Sequence, residues 1–322
     1  MSLNVVIASD PQRAPPAVPQ ALARLDVAVQ HLTELGSQAA ALLRQADGVI
    51  VEMHPLSAEQ IEQFERCRVI ACASTGYDYV DIAAATRRGI WVTNAPEYCT
   101  DEVATHTIAL LLNQARRLPQ LRALARGSWQ TEPARPIVSL RVQTLGIIGC
   151  GRIGRAVAAK ALPLGMQVLG YDPYVAPETL AVLGIVPAKL HTLLRESDYV
   201  SLHVPLTDET RGMFDEACCA QLKPGAYLIN TSRGAVVDEQ ALLGAVQSGH
   251  LAGAALDVLA SEPPPPDHPF LHDERFFVTP HAAWCSEQAD QAVWEHAALN
   301  VACVLRGDRP PAAVNNLPDQ MG

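Results

Sequence analysis

The run Leu145-Gly146-Ile147-Ile148 passes directly into Gly149-Cys150-Gly151-Arg152-Ile153-Gly154 and then into helical sequence to about Leu162. An apolar strand, a turn with three glycines at this spacing and a helix is the opening crossover of a parallel sheet that binds a dinucleotide. Gly149 permits the tight turn, Gly151 lets a pyrophosphate approach the backbone, and Gly154 lets the helix pack on the strand. The first helical turn, with Arg152 and Ile153, then presents N–H groups and partial positive charge to phosphates. The next strand-like run, Gln167–Tyr171, ends in Asp172. A carboxylate there accepts hydrogen bonds from the adenosine ribose hydroxyls and repels a 2′-phosphate, and no Lys or Arg occurs between Asp172 and Lys189. The cofactor expected is NAD rather than NADP.

The rest of the chain repeats this alternation. Before residue 99, β-like runs at Val5–Ala8, Val27–His31, Gly48–Val51, Val69–Ala73 and Ile90–Thr93 are separated by helical stretches such as Ala39–Gln45 and Ser57–Glu65. After Val142 they recur at Leu145–Ile148, Val168–Tyr171, Tyr199–His203, Ala226–Asn230, Ala254–Asp257 and Phe276–Thr279. Two such series predict two parallel sheets with helices on their faces, and 322 residues suffice for two cores. Between them, Thr100–Arg117 reads as one long helix, acidic at its start and basic at its end, interrupted by Pro119. Residues Gly127–Pro136 read as an exposed arm, Pro263–Pro266 as a stiff loop, and Ser286–Arg306 as an amphipathic helix.

Charge and cysteines narrow the function classes. A net charge of −10 without a basic stripe argues against direct nucleic-acid binding. No apolar run reaches the ~18 residues of a membrane span, and no basic segment precedes a signal-type stretch. The cysteines at 67, 72, 99, 150, 218, 219, 285 and 303 form no pair with metal-ligand spacing. A reducing, cytoplasmic compartment and no bound metal are expected.

In a doubly wound sheet, ligands bind outside the carboxyl ends of the strands. Three reactive side chains follow apolar runs there: Arg233 after Tyr227-Leu228-Ile229, Glu262 after Leu256-Asp257-Val258, and His281 after Phe277-Val278-Thr279. Together they supply a proton donor, a carboxylate that favours its protonated form, and a guanidinium that can grip an anion with two bonds.

These motifs, in this order and over nearly the whole chain, resemble the D-isomer-specific 2-hydroxyacid dehydrogenases. The resemblance rests on the glycine loop, Asp172, Asn230-Thr-Ser-Arg-Gly234, Asp257 with Glu262-Pro263, and Thr279-Pro280-His281. It implies a Rossmann coenzyme domain over residues 100–285, inserted into a flavodoxin-like substrate domain made of residues 1–99 and a C-terminal part, 286–322. It implies His281 as general acid/base in the exchange of hydride between NAD and a small 2-oxo or D-2-hydroxy acid. Glu262 is then its partner and Arg233 the substrate anchor. It places Asp257 at the nicotinamide carboxamide, with Val204, Pro205, Thr210, Thr231 and Ser232 lining the cofactor site. It assigns Ser74, Thr75 and Gly76 to the substrate carboxylate, and it implies a homodimer.

Formate dehydrogenases of this layout carry Gln at the position of Glu262, and phosphite enzymes carry Lys at that of Thr75, so neither substrate is expected. The segment Thr279–Gln288, with Tyr171-Asp-Pro-Tyr174, looks like the C-terminal binding protein branch. That likeness implies two things. Trp284, which would otherwise simply pack in the seam before the final helix, would wall the substrate side chain, favouring an extended group such as that of 4-methylthio-2-oxobutyrate. The alternative to an enzyme is an NAD(H)-sensing, corepressor-like interaction protein.

Overall fold

The computed structural model describes residues 3–9, 19–33 and 37–317, so the outermost ends of the 1–99 and 286–322 segments lie outside the described residues. The chain forms two compact units, Met1–Cys99 with Ser286–Gly322, and Thr100–Cys285.

In the first unit the strands are β1 (Leu3–Ala8), β2 (Val27–Leu32), β3 (Gly48–Val51), β4 (Val69–Cys72) and β5 (Trp91–Thr93), all parallel in the order β2-β1-β3-β4-β5. This is the flavodoxin-like order. Successive side chains of a strand point to opposite faces, and both faces here are covered, so β3 and β4 are buried along their whole length. Val5, Ile7, Ile50, Val69 and Ala71 meet Val293, Trp294, Ala297 and Val301 of the C-terminal helix Glu287–Arg306. Val6, Val49, Val51, Ile70 and Cys72 meet Leu43, Ile61 and Phe64. The C-terminal helix is thereby buried on more than one stripe, which an amphipathic reading understates. Ser286 caps its start by accepting the Ala289 N–H, and beyond its end the Asn315 side chain accepts the Val92 N–H at 2.8 Å.

The second unit holds β6 (Thr144–Ile148), β7 (Gln167–Tyr171), β8 (Val186–Pro187), β9 (Tyr199–Leu202), β10 (Tyr227–Asn230), β11 (Gly253–Leu256) and β12 (Phe276–Val278). All pairings are parallel and the order is β12-β11-β10-β9-β6-β7-β8, the Rossmann arrangement with its reversal between β6 and β9. Register decides the function. Tyr171, Ile148, Leu202, Asn230, Leu256 and Val278 lie on one row across the sheet. The residues that follow them, Asp172, Gly149, His203, Thr231, Asp257 and Thr279, therefore emerge along one edge.

Two expectations are corrected. The long helix ends at Ala115, before Pro119, because Arg117 turns left-handed (φ 53°); Pro119 opens a new helix, Leu118–Arg126, where a missing N–H is harmless. The two-residue edge strand Val186–Pro187 was too short to leave a periodic signal. Residues 127–136 form an arm with one 3-10 turn, Glu132–Ala134, of which only Ala134 is buried.

Candidate active site

The glycine loop leaves β6 at the point where the strand order reverses. Gly149 has φ +92°, and a β-carbon on it would lie 2.6 Å from the His203 carbonyl oxygen, so only glycine fits this turn. A β-carbon on Gly154 would fall 2.1 Å from the Gly149 oxygen, so the third glycine seats the helix on the loop itself more than on the strand. Gly151 faces open space. It also starts the helix Arg152–Ala161 with no side-chain cap, leaving that N-terminus to a ligand or water. Arg152 is exposed in the first turn, while Ile153 packs on the core. At the end of β7, Asp172 accepts the Cys150 N–H at 2.8 Å through one oxygen and the Tyr174 N–H at 2.8 Å through the other. The carboxylate is thus tied to the glycine loop. These features fit a dinucleotide: a bare backbone, an open helix end and an acid fixed beside them.

After β9 comes His203, 2.9 Å from the Ser201 hydroxyl; burial lowers its pKa to about 3 and keeps it neutral. Val204 abuts Gly149, and Thr210 closes the following loop by donating to the Pro205 carbonyl at 2.6 Å. After β10, buried Asn230 builds the turn that presents Arg233: its amide donates to the Arg233 carbonyl at 2.9 Å, and its oxygen accepts the Ser232 N–H and hydroxyl. Thr231 is turned inward to the Thr107 hydroxyl, 2.9 Å away. The sequence marks Asn230 only as part of its motif, without this role, and does not mark Thr107.

His281 and Glu262 meet. The imidazole Nδ1 lies 2.6 Å from one Glu262 oxygen, and the other oxygen accepts the Leu259 N–H at 2.8 Å. Burial pushes the Glu262 carboxyl up, but the hydrogen bond and charge of His281, the Leu259 N–H and the Arg233 guanidinium together hold it below the usual range. Arg233, Glu262 and His281 are therefore electrostatically joined. Both members of the His–Glu pair remain about a third exposed (29% and 32%), so water or a small substrate reaches them. Asp257 is buried and accepts the Ala282 and Ala283 N–H groups at 2.9 Å, and the indole N–H of Trp284 donates to the His281 carbonyl at 2.9 Å.

Ser74, Thr75 and Gly76 lie in the first unit, after β4. The Ser74 hydroxyl bonds the Gly76 carbonyl at 2.6 Å and the Thr75 hydroxyl the Ala95 carbonyl at 3.2 Å, so these side chains shape the loop. Cys72, Cys150 and Cys219 are buried, and burial pushes their thiols up to about 12, which leaves them protonated small hydrophobes. Among the described residues no cluster of His, Cys, Asp and Glu is arranged to hold a metal, and no helix is long and apolar enough to cross a membrane.

A Rossmann unit with this loop, this acid and a histidine–carboxylate pair on the same sheet edge defines an NAD-dependent oxidoreductase. Residues 108–283 match the family model described as "D-isomer specific 2-hydroxyacid dehydrogenase, NAD binding domain". A glyoxylate reductase of Korarchaeum cryptofilum is 42% identical over 81% of this chain and 80% of its own length. A D-3-phosphoglycerate dehydrogenase of Archaeoglobus fulgidus is 39% identical over 83% of this chain but only 51% of its own length. The crystal structure of a D-lactate dehydrogenase from Aquifex aeolicus, complexed with NAD and lactic acid, superposes with a TM-score of 0.87 at 33% identity, covering 95% of this chain and 96% of that one. The chain belongs to the D-isomer-specific 2-hydroxyacid dehydrogenase family, and NAD is its cofactor.

Proposed function

We propose that the chain reduces a small 2-oxo acid to the D-2-hydroxy acid, with His281 as general acid/base. The observation that carries this reading is the 2.6 Å His281–Glu262 contact on the sheet edge that also holds the glycine loop. When bound, reduced nicotinamide supplies a hydride for C2 of the substrate. As the carbonyl oxygen gains charge, His281 gives it the proton from Nε2, and the C=O becomes C–OH. Glu262 keeps the imidazole oriented through Nδ1 and balances its charge. Arg233 pairs with the substrate carboxylate and stabilises the developing oxyanion. Gly149, Gly151, Arg152, Ile153 and Gly154 would cradle the pyrophosphate and Asp172 the ribose. Val204, Pro205, Thr210, Thr231, Ser232 and Asp257 would line the remainder of the cofactor site. Ser74, Thr75 and Gly76 are proposed to bind the substrate carboxylate, for which Gly76→Val should raise KM without changing NADH affinity.

The acid at 172 gives a direct test of cofactor choice. NADH should bind at least tenfold more tightly than NADPH, and Asp172→Ala should narrow the gap, as followed by quenching of protein fluorescence. Equal affinities in the unmodified protein would remove Asp172 from this role.

Substrate choice is proposed to rest on Trp284. An indole wall favours an extended, polarizable side chain, and a thioether against an aromatic ring is worth roughly 0.3–1.5 kcal/mol. NADH oxidation with glyoxylate, pyruvate and 4-methylthio-2-oxobutyrate tests both the reaction and the preference; the last is expected to be reduced best. Because the Trp284 N–H also holds the His281 carbonyl, Trp284→Ala should slow every substrate and, in addition, shrink the preference several-fold. Trp284→Phe should slow them all with the preference kept. Equal loss on every substrate in both variants would return Trp284 to packing alone. The same panel separates this reading from the alternative raised by Thr279–Gln288, NAD(H)-dependent partner binding. A chain inert on every 2-oxo acid that captures a partner protein only with NADH present would favour it.

A homodimer is proposed on the stretch 118–142. The helix Leu118–Arg126 buries no residue, and Leu118, Trp129 (82% exposed), Val138 and Val142 present apolar surface to solvent. Sedimentation at twice the 34.6 kDa chain mass is expected, and Trp129→Asp should shift it toward the monomer.

A further inference from the structure

The loop that carries His281 is braced from behind. His281 itself is left-handed (φ 50°), a conformation that a residue with a β-carbon keeps only where its surroundings over-determine it. Several bonds do so. Its N–H donates to the Asp257 carbonyl at 2.8 Å, and its carbonyl accepts from Trp284. The next two N–H groups, of Ala282 and Ala283, donate to the two oxygens of the buried Asp257 carboxylate. The same carboxylate accepts the Thr279 hydroxyl at 2.5 Å. With its proton directed to Asp257, the Thr279 oxygen is an acceptor toward its other neighbour, His106 Nε2, 3.1 Å away. That nitrogen also lies 3.6 Å from Asp257 Oδ1.

His106 sits on a rigid element. The helix Thr100–Ala115 buries Val103, Ala104, Thr107 and Ile108 around it, and Thr107 ties the helix to Thr231 at the end of β10. Nothing in the mechanism above uses His106. We propose that His106 is a positioning residue for His281, acting through Thr279 and Asp257. It fixes the Thr279 oxygen, which fixes the carboxylate, which holds residues 282 and 283 and with them the direction of the imidazole. The proposal rests on the reading of His281 as acid/base.

Two measurements test it, one of them free of activity. In the apoprotein, His106→Leu should speed amide hydrogen exchange at Ala282 and Ala283 about tenfold, with exchange in β6 and β10 and the melting temperature little changed. In the holoenzyme it should lower kcat about tenfold with a smaller weakening of NADH, about threefold at most, since Asp257 is also proposed to line the cofactor site, and His106→Gln, which keeps an N–H donor, should recover most of the loss. Thr279→Val should act alike, and His106→Leu should add nothing in that background, since both variants cut one chain of contacts. Wild-type exchange at 282 and 283 in His106→Leu, or additive losses in the double variant, would overturn the proposal. A wild-type protein that reduces no 2-oxo acid would instead sink the reading of His281, while the exchange data still decide whether His106 holds the loop.

Discussion

His281→Ala is expected to lower 2-oxo acid reduction by about 10²–10⁴-fold while the affinity for NADH stays within about twofold of wild type. The asymmetry follows from where the side chain acts. Its Nδ1 is engaged by Glu262, and its backbone is held by Asp257 and Trp284, so truncation leaves the glycine loop and Asp172 untouched. In the proposed mechanism, what disappears is a proton donor needed only as charge develops on the substrate oxygen. Glu262→Gln completes the test. The hydrogen bond and charge of His281 help hold the Glu262 carboxyl below its ordinary range, so the carboxylate stays charged beside the ring. An amide in its place keeps a hydrogen-bonding oxygen but not the charge, so kcat should fall about tenfold or more while NADH affinity is kept. An unchanged kcat in Glu262→Gln, or an active His281→Ala, would dismantle the pair.

The parts of this molecule that were legible in the sequence are those where one physical demand fixes one residue type over a short span. The glycine loop is such a place, since the turn at Gly149 and the packing at Gly154 admit no side chain. The strand ends are another: each apolar run stops where the sheet edge meets solvent, and Arg233, Glu262 and His281 stand just beyond. Sequence alone could not supply the register that puts Asn230, Leu256 and Val278 in one row, because pairing between strands tens of residues apart leaves no local pattern. Nor could it give a role to Asn230, Thr107 or His106. Each is one polar residue among several, and only the fold says which carbonyl or hydroxyl it meets. The helix break at Arg117 was misplaced onto Pro119 for a related reason. Proline is a visible breaker, whereas a left-handed arginine is set by its surroundings.

Arg233→Ala is expected to cost about 10²–10³-fold in kcat/KM, divided between a higher KM and a lower kcat, because in the proposed mechanism the guanidinium grips both the carboxylate and the carbonyl oxygen and so serves ground state and transition state together. The backbone beneath it is unusually fixed. Asn230 holds the Arg233 carbonyl, and a β-carbon on Gly234 would lie 1.9 Å from the Leu259 carbonyl carbon, so this turn is pressed against the segment leading to Glu262. Substitution of the side chain should therefore leave the turn in place, and the melting temperature is expected to change little. Arg233→Lys separates charge from geometry. An ammonium restores the positive charge but not the planar fork, so it should recover binding of oxamate, an unreactive 2-oxo acid analogue, more than it recovers kcat. Calorimetry with oxamate in the presence of NADH, set beside steady-state kinetics of the three proteins, reads both quantities. If Lys restores kcat and binding equally, the arginine acts only as a point charge. If Ala alters neither, the substrate anchor lies elsewhere and the 2-oxo acid must approach His281 without the help of β10.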